Sequence, residues 1–163
     1  MNENYLNENI NQVWCSIIID QLCHNNIDNF YLAPGMRNAP LLRAASNHSK
    51  SKFESFLDER ALAYRALGFS KNGKIPALIC TSGTALANFL PAVIESYRSN
   101  QPIVVISADR PIDLVKTDAN QTIDQTSVIK NFVCDSLNLD SPCESLTPKR
   151  LRTLIQNIVN KAI

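Results

Sequence analysis

Apolar residues recur at helical spacing from the start of the readable pattern: Ile10, Val13, Trp14, Ile17, Ile18 and Leu22 share one face, ending near His24-Asn25-Asn26. This predicts an opening amphipathic helix. Short apolar runs then replace the helical period, at Asn29–Ala33, Phe53–Leu57, Pro76–Cys80 and Ile103–Ser107, each followed by a polar or glycine turn. These predict strands, and the intervening segments Arg37–Ser46, Arg60–Ser70 and Ala85–Tyr97 are long enough for helices. Further on, the pattern predicts a polar surface loop over Asp118–Thr122, a short helix over Asp124–Phe132 and a fifth strand over Asp135–Leu139. A last helix follows to Ile163, with Thr147 as N-cap, Pro148 at the first helical position, and Leu151, Leu154, Ile155, Ile158 and Val159 on one face.

Strands alternating with helices, without hairpin turns between them, predict an α/β fold: a doubly wound, mostly parallel sheet with helices on both faces. No repeat, low-complexity stretch or linker interrupts the pattern, so residues 1–163 read as a single domain. The composition, 45% apolar and 19% charged, suits an ordinary core. Sixteen basic and fifteen acidic residues leave a net charge of +1, which gives no field to draw nucleic acid or an anionic membrane. Recognition of an anion must therefore be local.

Five scattered cysteines, Cys15, Cys23, Cys80, Cys134 and Cys143, contain no C-x-x-C pair and read as reduced thiols of a cytoplasmic protein. The opening Met1–Asn9 is polar, with two glutamates and no lysine or arginine, and no apolar run reaches transmembrane length. Neither secretion nor membrane spanning is expected.

Parallel strands send the turns that follow them to one edge, where open α/β sheets bind ligands. Here those turns are Ala33-Pro34-Gly35-Met36-Arg37, Asp58-Glu59-Arg60, Thr81-Ser82-Gly83-Thr84 and Ala108-Asp109-Arg110-Pro111. Arg37 falls in the first turn of its predicted helix, where the dipole disfavours a cation by a few tenths of a kcal/mol to about 1 kcal/mol. A bound carboxylate would offset that cost through a bidentate pair, but an arginine turned to solvent or to a neighbouring acid fits the spacing equally. Glu59 sits at a strand–helix junction, either facing a ligand or merely favouring the helix dipole. In the third turn, Gly83 allows close backbone approach while the hydroxyls of Thr81, Ser82 and Thr84 are expected to cap the next helix. A Walker lysine and the full G-x-G-x-x-G pattern are both missing. Arg110, preceding Pro111, is biased to extended backbone. His24 and His48 adjoin asparagines without metal-ligand spacing and read as solvated residues outside the site; no metal ligands are assigned.

These turns, together with Asn88 and Ala119-Asn120-Gln121, resemble in order and in register one family, the 2-succinyl-5-enolpyruvyl-6-hydroxy-3-cyclohexene-1-carboxylate (SEPHCHC) synthases of menaquinone synthesis. The likeness runs from about Trp14 to Phe132. It implies the pyrimidine-binding domain of a thiamine-diphosphate transferase that decarboxylates 2-oxoglutarate and joins the succinic semialdehyde unit to isochorismate. By the same resemblance, Glu59 is the catalytic carboxyl that hydrogen-bonds the cofactor's pyrimidine ring nitrogen and exchanges a proton with it. Thr81, Ser82, Gly83 and Thr84 line the cofactor, and Arg37, Arg110, Gln121 and position 36 face the two dicarboxylate substrates. The diphosphate and a magnesium or manganese ion are implied to lie on a later domain of a partner subunit in a homo-oligomer, outside this chain. One departure stands out: the family has serine where this chain has Met36, and a thioether cannot donate the hydrogen bond a hydroxyl could. A different thiamine-diphosphate lyase, such as an acetolactate-synthase relative, and a non-catalytic assembly module are the alternatives.

Overall fold

The structure, a computed structural model, describes residues 9–115 and 117–162. Of the polar opening only Asn9 falls within it, and Ile163 of the predicted last helix lies outside. The element order is α1 (Ile10–His24), β1 (Asn29–Leu32), α2 (Ala39–Asn47), β2 (Lys52–Ser55), α3 (Glu59–Ser70), β3 (Ala77–Cys80), α4 (Thr84–Ser99) and β4 (Val104–Ser107), then α5 (Gln125–Ile129) and α6 (Pro148–Ala162). Short 3-10 turns at Ile112–Leu114 and Lys130–Phe132 flank α5.

The four strands are all parallel, in the order β2-β1-β3-β4. The chain therefore moves outward from β1 to β2 and then returns past β1 to β3. This reversal puts the topological switch point between β1 and β3 and confirms the doubly wound α/β reading. Alternate strand residues feed two separate cores, as a period of two requires. Phe30, Leu32, Ala77 and Ile79 pack with Trp14, Leu22, Leu41, Leu151 and Ile155 on the α1–α2–α6 face. Tyr31, Leu78 and Cys80 pack with Leu62, Ala66, Leu86, Phe89 and Val93 on the α3–α4 face.

Three sequence expectations need correction. The second strand is Lys52–Ser55, not an apolar run from Phe53 to Leu57; all four of its residues are exposed, and Leu57 is 95% exposed. It is an outer strand paired only with β1, and its Glu54 holds Arg65 of α3 at 2.9 Å. Among the described residues, 135–139 form no fifth strand. The Asp135 carboxylate instead accepts from the Ser136 backbone N–H and from Lys161, while Leu139 is drawn onto the α1–α2–α6 core. The alternation there seats one apolar side chain without a ladder. Finally, His48 is not solvated: its Nε2 lies 3.2 Å from Asp20 Oδ1, and its side chain is 19% exposed.

Asp20 of α1 gathers His48, His24 and, at 2.6 Å, Arg152 of α6, so one carboxylate joins three segments of that face. Partial burial pushes the Asp20 carboxyl up, but hydrogen bonds from Arg152 and His48 and the adjacent charges outweigh it and leave its pKa below 3.8. A carboxyl depressed by folding contributes stability above its unfolded pKa and loses it as pH falls through the folded one. Asp20→Asn is expected to make the acid limb of the stability curve shallower, measured by urea unfolding from about pH 5 down to about pH 2. An unchanged limb would rule out Asp20 as a contributor.

Candidate active site

The turn after β1 is built around Asn38, which is completely buried. Its Nδ2 donates to the Ala33 carbonyl at 2.8 Å, and its Oδ1 accepts from the Gly35 N–H at 2.8 Å, so one side chain closes the loop from both ends. A Cβ on Gly35 would stand 2.5 Å from Thr81 Cβ, which explains why only glycine lets this turn lie against the one after β3. Asn38 was missed from the sequence, although Asn38-Ala39-Pro40 carries a helix-start signal. Because α2 begins only at Ala39, Arg37 precedes the cap rather than occupying the first helical turn, and the predicted dipole cost does not apply.

Arg37 turns toward the switch point. Its Nη1 donates to Ser82 Oγ at 3.0 Å and to Gln121 Oε1 at 2.9 Å. Both acceptors are neutral, and among the described residues no carboxylate pairs with Arg37. Ser82 is fully buried; its hydroxyl donates to the Gln121 carbonyl at 3.0 Å, and Gln121 Nε2 returns a bond to the Ser82 carbonyl at 3.0 Å. The expected hydroxyl capping of α4 is thereby corrected. Gly83 is the cap residue, with φ 81° and no side-chain cap bond, and the Ser82 hydroxyl is spent on Arg37 and Gln121. Thr84 is exposed as the first residue of α4.

Glu59 is the first residue of α3 and half-buried. Asp58 caps the helix through the Arg60 N–H and also takes Arg60 Nε at 3.1 Å and Nη2 at 2.6 Å. The Arg60 side-chain bonds, then the backbone bond, hold the Asp58 carboxyl down at about 2. This pairing occupies the nearby guanidinium and keeps it off Glu59. Asn88 of α4, to which the sequence motif assigned no task, donates from Nδ2 to Glu59 Oε2 at 3.3 Å. The buried Cys80 thiol at the end of β3 is pushed up by burial and, to a lesser degree, by the Glu59 charge.

Arg110 follows β4, with Nη2 donating to the Asn120 carbonyl at 2.7 Å, while its Nε is buried without a partner. Arg37 and Arg110 thus grip adjacent residues of one loop, whose backbone is left-handed at Asp118 and Gln121. A small cleft walled by Arg110, Ile112, Val115 and Leu139 includes neither Glu59 nor Arg37. The three charged groups follow β1, β2 and β4 at one edge of the sheet, and of the three this cleft takes in Arg110 alone. Met36, 91% exposed, makes no use of its side chain within the chain's own fold.

Asn88 holds one oxygen of a half-buried carboxyl, the neighbouring arginine is already neutralised by Asp58, and Glu59 Oε1 takes no partner among the described residues. A carboxyl held through one oxygen can still accept or donate a proton at the other. No three His, Cys, Asp or Glu side chains are clustered for a metal ion among the described residues, and no helix among them is long and apolar enough to cross a membrane. All five cysteines are free thiols.

The doubly wound parallel sheet, with the Glu59 carboxyl at the head of α3, is the frame within which the comparisons with known proteins fall. The family described as "Thiamine pyrophosphate enzyme, N-terminal TPP binding domain" matches residues 15–128, and the chain belongs to it. Among curated relatives, the chain is 42% identical over 159 residues to the 2-succinyl-5-enolpyruvyl-6-hydroxy-3-cyclohexene-1-carboxylate synthase of Syntrophus aciditrophicus, covering 97% of this chain and 28% of the relative. The enzyme of the same name from Chlorobium phaeobacteroides is 42% identical over 96% of the chain and 27% of its own length. That from Aliivibrio fischeri is 43% identical over 84% of the chain and 24% of its own length. The chain therefore spans about a quarter of the length of these relatives.

Proposed function

We propose that this chain is the pyrimidine-binding domain of a SEPHCHC synthase, acting in menaquinone synthesis on 2-oxoglutarate and isochorismate. The observation that carries the proposal is the 42% identity spread over 97% of the chain to an enzyme of that name. When bound, thiamine diphosphate would supply a nucleophilic carbon that adds to the 2-oxo carbonyl and an electron sink for the pair left behind as carbon dioxide departs. Glu59 holds and moves a proton at the pyrimidine ring nitrogen, and Asn88 fixes which of its oxygens is free to do so. Thr81, Gly83 and Thr84 form the cofactor side of the switch-point turn. Arg37 and Arg110 bind substrate carboxylates, with Gln121 between them and Met36 at the rim.

The rest of the proposal concerns what lies outside the chain. The diphosphate and a magnesium or manganese ion are held by a domain of a partner subunit in a homodimer, and the enzyme works in the cytoplasm. Leu57 and Met36, 95% and 91% exposed beside Glu59 and Arg37, offer the apolar surface such a partner would cover. The reading is tested with the full-length enzyme: 2-oxoglutarate and isochorismate together give the carboxylated cyclohexene product, whereas pyruvate alone gives none. Acetolactate from pyruvate would refute it. In the same enzyme, Arg37→Ala and Arg110→Ala are each expected to raise KM for at least one dicarboxylate by about tenfold or more, the loss of one charge-assisted hydrogen bond. Unchanged steady-state kinetics would remove these arginines from the site.

A further inference from the structure

We propose that Ser82 is a positioning residue that fastens residues 118–122 to the switch-point turn and aims Arg37 and Gln121, without itself touching the cofactor. Its hydroxyl has one donor and two acceptor sites. The donor goes to the Gln121 carbonyl and one acceptor site to Arg37 Nη1, in a side chain with no exposure to solvent. Gln121 answers with Nε2 on the Ser82 carbonyl and Oε1 on Arg37, so the two residues are tied by reciprocal bonds across 39 positions of sequence.

Two backbone features show that this closeness is built in. Gly83 lies at φ 81°, and a Cβ there would come within 2.9 Å of Gln121 Cγ and 3.0 Å of its carbonyl oxygen. Gln121 itself is at φ 59°, a left-handed conformation that a non-glycine residue keeps only when its surroundings hold it. The outcome bears on Arg37. Both of its bonds fall on Nη1, so Nη2 and Nε take no partner among the described residues and present a fork of the kind a carboxylate accepts. Ser82 determines which side of the guanidinium is offered. This inference rests on Arg37 and Gln121 being substrate contacts, and it moves Ser82 from the cofactor to the substrate side of the edge.

The test has two arms. In this chain, Ser82→Ala is expected to speed amide hydrogen exchange over residues 118–122 by about tenfold, the equivalent of one lost hydrogen bond. Gln121→Met, at an exposed position where folding is not at stake, gives the same acceleration. In the full-length enzyme, Ser82→Ala raises KM for a dicarboxylate by about tenfold, with kcat within about threefold and the dissociation constant of thiamine diphosphate unchanged. Unaltered exchange in both variants would overturn the fastening. A weakened cofactor with unchanged KM would overturn the assignment of Ser82 to the substrate side. Faster exchange with every kinetic and binding constant unchanged would instead sink the premise that Arg37 and Gln121 meet substrate.

Discussion

Glu59→Gln in the full-length enzyme is expected to lower kcat by about 100- to 10,000-fold, the range for removing a general acid–base group. Glutamine keeps the size and one acceptor oxygen, so Asn88 retains a partner, but an amide cannot take up or release a proton near neutral pH. The exchange with the pyrimidine ring nitrogen is lost while the local packing survives. Glu59 lies half-buried at a helix start whose cap is supplied by Asp58, so the substitution leaves the N-cap intact. Urea unfolding of the variant should therefore stay within about 0.5 kcal/mol of the parent. Turnover within a factor of about three of the parent would show that the carboxyl does no proton transfer.

The largest effect on stability is expected at Phe89. Its side chain is fully buried beside Leu62, Ala66 and Leu78, where α3 and α4 meet the sheet. Phe89→Ala removes most of a ring from close-packed surroundings and is expected to cost about 3–5 kcal/mol, transfer and cavity terms together. That is a large part of the 5–15 kcal/mol typical of a domain. The substitution also loosens the helix that carries Asn88, so the Glu59 carboxyl should lose its fixed partner before the α1–α2–α6 face is affected. Equilibrium urea unfolding measures the first effect. A cost below about 1 kcal/mol would mean that the α3–α4 core collapses around the gap.

Much of this molecule is legible in the order of its residues, because the signals are local. Strand–helix alternation gives the sheet, Asp58-Glu59 reads as a helix start, and Thr147-Pro148 as another; there the Thr147 hydroxyl accepts from the Arg150 N–H at 3.3 Å. The third strand, fully buried in the middle of the sheet, is as apolar as its position requires. What escapes is decided by contacts between distant segments. Nothing near Ser82 announces that Arg37, 45 positions earlier, and Gln121, 39 later, will consume its hydroxyl. Asn88 looks like any polar residue of a helix until α3 brings Glu59 against it. The alternation of residues 135–139 resembles a strand because periodicity reports which side chains are buried, not where backbone N–H groups find partners. The same blindness hides the exposure of β2, since an outer strand and an inner one can share a length and a turn signal.

With every strand pointing one way, the segments that enter the strands are gathered at the end remote from Glu59 and Arg37. The turn at residues 71–74, which leads toward β3, is one of them; it is exposed, and a Cβ on Gly73 would meet nothing. Extra length in an exposed turn adds only about 0.6 kcal/mol per doubling of its span. A reporter peptide or affinity handle spliced there would ride on the protein at little thermodynamic cost and stay clear of the chemistry.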